Sequence, residues 1–242
     1  MTRRALAAQA RIEMLLTVRR PESLVVTLGI PIGILVFFAK FDALSDVGNP
    51  VDFLVPGILA LAVMSTAMVS LGIATGYERR YGALKRLGST PLSRGGLLAA
   101  KTVNVLGIEL VQAALIVAAG LALGWDLTGG VVPAVALLFV GTVAFAGVGM
   151  LLAGTLRAEA NLAVVNGLYL VLLFLGGMAY PLHRLPGGVQ AVAKALPAAP
   201  LAECVRGVLA SSAHLPVGSF AVLCAWAVGA PVLAARVFSW EE

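Results

Sequence analysis

The chain reads as an all-α membrane protein of six transmembrane helices with both termini on the cytoplasmic side, and three observations predict this. First, 60% of its 242 residues are hydrophobic and only 12% charged, against roughly 45–50% apolar in soluble domains. The mean hydropathy is +0.98, and a soluble domain of this length has no interior able to hide so much apolar surface. Second, the apolar residues fall in six runs that are continuous rather than alternating, the pattern of helices and not of barrel strands. Third, the positive charges are divided unevenly among the connections. Arg3, Arg4, Arg11, Arg19, Arg20, Arg79, Arg80, Lys85, Arg86, Arg94, Lys101, Arg157 and Arg236 fall on one side, and only Lys40, Arg184, Lys194 and Arg206 on the other. The positive-inside rule assigns the richer side to the cytoplasm.

A helix needs about 20 apolar residues to cross some 30 Å of hydrocarbon. The spans are expected at 23–39 (short, with Pro31), 53–76, 102–123, 131–156, 161–180 and 217–237. Residues 1–22 carry Arg3, Arg4, Arg11, Glu13, Arg19 and Arg20, too charged for a cleaved signal sequence. The outer connection 40–52 holds Asp42, Asp46 and Asp52 and is short. The stretch 77–101 gathers six Lys/Arg around the sequence Gly88-Ser89-Thr90-Pro91-Leu92-Ser93. The outer segment 181–216 is mostly apolar and is cut by Pro181, Pro186, Pro197, Pro200 and Pro216. It is expected to form two short helices in or dipping into the outer interface. No soluble domain is apparent, so 1–242 is read as a single transmembrane domain.

The excess of Lys and Arg, +5 overall, is compatible with nucleic acid or a membrane surface, but with so few charges in total, orientation in the bilayer explains it better. No nucleic-acid partner is expected. There is no G-x-x-x-x-G-K-[ST] phosphate loop, no G-x-S-x-G and no H-E-x-x-H motif. The chain is therefore expected not to be an enzyme, and to carry neither cofactor nor metal. His183 and His214 both fall in the outer segment, where an interfacial polar role is the ordinary reading. Cys204 and Cys224 read as packing residues. Within the third span, Lys101, Asn104, Glu109 and Gln112 share one broad side at 100° per residue. Glu109 lies about 12 Å deeper than Lys101 at the helical rise. An acid at that depth must face protein or water. It serves either an interhelical hydrogen bond or a proton or substrate path, and Asn161 and Asn166 in the fifth span pose the same choice.

Two segments resemble the membrane subunits of ABC-2 type exporters. "ERRYGALKRLGSTPLSRGGLLAAK" (78–101) is similar to that family's cytoplasmic loop between spans 2 and 3, with its Glu, its basic–Leu run, its Thr/Ser-Pro-Leu-Ser and its closing Lys. "LFLGGMAYPLHRLPGGVQAVAKALPAAPLAECVRGVL" (173–209) is similar to the end of its fifth span and the segment beyond. The resemblance implies a permease that dimerises with a second copy or a related permease and binds two cytoplasmic ATPase subunits, which hold the ATP. It implies that Thr90, Pro91, Leu92, Ser93, Arg94 and Gly95 form or open a coupling helix, with Glu78 at the inner end of the second span. Independently, Thr90 suits an N-cap and Pro91 the first helical position. Residues 1–22 would be an interfacial helix. Segment 181–216 would hold outer re-entrant helices, with Tyr180 and Pro181 at their start. Glu203 and Arg206 are expected to pair across one turn or with the dimer mate. In the mechanism this suggests, the second and fifth spans of the two halves change their packing when ATP binds.

The substrate that the resemblance favours is a hydrophobic small molecule or drug, moved out across a bacterial plasma membrane, as in drug efflux and antibiotic resistance. Lipid, peptide and polysaccharide export remain alternatives within the family. Outside it stand a proton-coupled secondary transporter that uses Glu109 and a membrane scaffold without transport. Asn104, Glu109, Gln112 and Asn166 are the candidate intramembrane polar residues for a translocation route.

Overall fold

The computed structural model describes residues 29, 31–38, 49–84, 94–178, 180–210 and 214–239, with the backbone alone at Arg94 and Gly95. Among the described residues every regular element is helical. Helix α1 covers 31–38, within the first expected span. Then come α2 (Pro50–Arg80), α3 (Arg94–Ala122), α4 (Val131–Thr155), α5 (Ala158–Leu175), α6 (Gly187–Ala195), α7 (Ala198–Leu209) and α8 (Val217–Val237). Five of these, α2, α3, α4, α5 and α8, are long and apolar enough to cross a membrane. The rest of the first span and the interfacial helix 1–22 lie outside the described residues.

The helices start and stop where local chemistry directs. Asn49 caps α2 by accepting from Val51 N at 3.2 Å, and Pro50 follows at the first helical position. The asparagine amide also donates to Gly124 O at 3.2 Å, and Asp52 accepts from Asp126 N at 3.3 Å. The start of α2 is thereby tied to the turn between α3 and α4. Two helices are longer at one end than their apolar runs predict. Helix α2 continues to Arg80, and α3 begins at Arg94 instead of 102. Hydropathy marks only the lipid-facing length, and a helix continues past it as long as its backbone hydrogen bonds can. The expected loop 77–101 is therefore helical at both ends. Helix α5 runs from Ala158 to Leu175 rather than over 161–180, because Gly176 and Gly177 (φ 61°) turn the chain out of the helix.

Helix α2 is the axle of the bundle: 83% of its most apolar window is buried, against 56% for α4, 28% for α3, 22% for α5 and 17% for α8. It packs on α4, α3, α5 and α7. Between lipid-facing helices there is little hydrophobic force, so contact rests on close backbone approach. A Cβ on Gly149 of α4 would stand 2.7 Å from Met68 O of α2, and one on Gly72 would stand 3.2 Å from the Cα of Gly149. In this middle stretch, Met64–Ser70, α2 winds as a π-helix, a departure frequent at functional sites. The surface of α2 is used largely by this chain's own helices, whereas α5 leaves Val164, Leu170, Val171 and Phe174 outward.

Candidate functional site

Polar side chains gather at three levels along the bundle. At the Lys/Arg-rich end, the last turn of α2 is held from three directions. Lys101, on the second full turn of α3, is 2% exposed and donates to Glu78 Oε1 at 3.0 Å, with Oε2 at 2.8 Å. Buried Arg79 donates through Nη2 to Leu156 O at the end of α4, at 2.5 Å. On α5, Glu159 pairs with Arg80, and Asn161 donates to Gly72 O at 2.9 Å. The Glu78–Lys101 pair spans 23 residues of sequence, and so closes the base of the segment that contains the Thr-Pro-Leu-Ser step. Thr90, Pro91, Leu92 and Ser93 themselves lie outside the described residues. Arg94 and Gly95 open α3.

At the middle level, Glu109 and Gln112 of α3 each meet a threonine of another helix. Thr142 of α4 donates to Glu109 Oε2, and Thr66, in the π-helical stretch of α2, donates to Gln112 Oε1 at 3.0 Å. These bonds fit the interhelical reading of the polar residues in the third span. Asn104 is half-buried between this level and Lys101. Asn166 is not part of the layer. It is exposed on α5 and donates to Leu162 O of its own helix at 2.7 Å. Beside Glu109 and Gln112 an apolar cleft of about 270 Å³ opens among α2, α3 and α4.

At the opposite end, Arg206 of α7 donates through Nη2 to Gly177 O at 2.9 Å and through Nε to Phe53 O at 3.3 Å, with its guanidinium 3.9 Å from the centre of the Phe53 ring. Burial lowers its pKa to about 10, which leaves it charged at neutral pH. Gly57 is required here, since a Cβ would sit 1.9 Å from Met178 O. Glu203 accepts instead from Ser219 of α8 at 2.5 Å. Within this chain Arg206 and Glu203 thus hydrogen-bond to different elements, while the Glu203 charge still acts on the guanidinium. A second cavity, about 290 Å³, is lined by Phe53, Pro181, His183, Lys194, Glu203 and Arg206. Tyr180 is half-buried in the preceding turn. Among the described residues no cluster of His, Cys, Asp and Glu fits a metal ion.

The residues that complete these clusters without being singled out in the sequence include Phe53, Thr66, Gly72, Thr142, Leu156, Glu159 and Ser219. Lone hydroxyls are common in membrane helices, so neither threonine carries a signal of its own. Glu159 had one: it follows Arg157 at the start of a span, where an acid suits the helix N-terminus.

Comparison of the sequence with curated proteins gives no match. The profile of the ABC-2 type transporter family matches residues 4–210, which take in the axle helix, the clasped segment, the mid-level polar layer and the Arg206 brace. The chain belongs to the ABC-2 type transporter family and is one of its membrane-spanning permease subunits.

Proposed function

We propose that this permease moves a hydrophobic small molecule or drug out across a bacterial plasma membrane, driven by two copies of a separate cytoplasmic ATPase that dock on the segment between α2 and α3. The observation that carries the reading is the Glu78–Lys101 clasp. A contact on residues 81–93 pushes on a base where α2 and α3 are pinned together. From there both helices run unbroken to the level of Thr66, Glu109 and Gln112. A rigid pair of that kind passes on a displacement without dissipating it in loop motion. It gives a two-state element that ATP binding in the partner can bias.

In this reading the Lys/Arg-rich end is cytoplasmic, and α6 and α7 close the outer end. The second permease copy packs on the exposed apolar face of α5, not on α2, which is already enclosed. The short outer connection 40–52 and the small outer helices favour a substrate that enters from lipid over a polysaccharide. The test replaces Pro91–Arg94 by a Gly/Ser linker and follows two quantities, co-purification with the ATP-binding subunit and ATP-dependent efflux of a hydrophobic dye. Both should fall to background. Retention of both would refute the coupling assignment.

A further inference from the structure

From the geometry of the cleft beside Glu109 we infer that it is a binding site, contained within one permease chain and open to the lipid, for a small lipophilic amine. The cavity is bounded by Leu59 and Val63 of α2, Leu106 and Leu110 of α3, and Val135 and Phe139 of α4. Its polar groups are Glu109 and Gln112. Gln112 Oε1 already accepts from Thr66 at 3.0 Å. Glu109 is different. It is 8% exposed, and Thr142 satisfies Oε2, while Oε1 is buried and accepts no hydrogen bond from any described residue. A buried acceptor without a donor is costly in apolar surroundings, and the Glu109 side chain also lines the cleft, so that a turn of its carboxyl group would bring Oε1 to a donor there.

The chemistry of the lining selects the occupant. Among the described residues no Lys, Arg or His lines the cleft. Lys101 lies about 12 Å away along α3 and is held by Glu78. A ligand with an ammonium group would supply the positive charge that the described lining lacks and would hold Glu109 as a carboxylate, and charge-assisted bonds to carboxylate are the strong ones. The rest of the ligand must be apolar. Its size follows from the cavity: about 150 Å³ holds a benzene, so 270 Å³ suits a body of about two fused rings. The route in is lateral. Leu110, Val135 and Phe139 at the rim are 65%, 50% and 50% exposed, on the outer surface of α3 and α4, where an amphiphilic amine already dissolved in the bilayer would meet them.

The site differs from a passage between two permease copies, and it needs neither a second copy nor ATP. The experiment therefore uses the full-length chain alone in lipid nanodiscs, without ATPase, so that its failure is separate from failure of the transport reading. The probe is 1-naphthylmethylamine, and its neutral counterpart is 1-naphthylmethanol. Fluorescence titration should show saturable binding of the amine, with the alcohol, which can donate a hydrogen bond but carries no charge, about tenfold or more weaker, as expected for loss of the charge-assisted contact. Glu109→Gln keeps the shape and the acceptor for Thr142, and should weaken the amine by a similar factor while leaving the alcohol unchanged. Ala113→Phe fills the cleft and should abolish both while leaving the thermal transition in place. Amine and alcohol binding equally would overturn the proposal and make the cleft an acyl-chain groove. So would amine binding that does not saturate, or that survives both substitutions.

Discussion

The clasp at the base of the 2–3 connection can be tested apart from transport. Lys101 is among the largest fully buried side chains, whereas the Glu78 side chain is 37% exposed. Removing one partner of a fully buried pair costs about 3–5 kcal/mol, and an exposed pair is worth about 0.2–1 kcal/mol. With one partner inside and the other partly in solvent, Glu78→Ala should destabilise the protein by about 1–3 kcal/mol, between those limits. The diagnostic is a double-mutant cycle with Lys101→Met, which keeps the stem and removes the ammonium. In the Lys101→Met background Glu78→Ala should cost no more than about 0.5 kcal/mol, the range of an ordinary surface change. The assay is thermal unfolding of the four purified forms in detergent, repeated at high salt. Partial burial limits screening, so most of the coupling should persist. An equal cost of Glu78→Ala in both backgrounds would refute the clasp. It would also remove the reason for treating α2 and α3 as one lever.

Two further outcomes follow from the packing. Gly149→Ala places a Cβ 2.7 Å from Met68 O, a backbone atom in the π-helical stretch, and should cost about 1–3 kcal/mol in thermal unfolding. Gly229→Ala, with nothing within 4 Å, should cost nothing, and equal losses at the two sites would contradict the close α2–α4 approach. Arg206→Lys keeps the charge but not the fork that serves two carbonyls and stacks on Phe53. It should lose about 2–4 kcal/mol, and a variant as stable as the parent protein would show that the brace is not structural.

The order of the long apolar helices along the chain was legible from hydropathy alone. Lipid demands continuous apolar helices, and the chain shows them plainly: the fourth and sixth spans agree with α4 and α8 almost to the residue. The family was legible as well, because its motifs are local in sequence, and the profile match over 4–210 bears out the resemblance. The helix ends near 80, 94 and 175 were less legible, since hydrogen bonding and glycine turns set them and not apolar length.

What the sequence by itself determined is therefore the solvent, the class of fold, the family and the residue types at each level of the bundle. Partner choice was decided only in three dimensions. Nothing along the chain says that Glu109 meets Thr142 rather than Asn166, that Arg206 turns to Phe53 and Gly177 rather than Glu203, or that α2 lies inside and α5 outside. Helices that are apolar all round have no amphipathic stripe to announce which face is inward. Their rotation is settled by where glycines let backbones touch and where a few polar side chains find partners, and both depend on every other helix being in place.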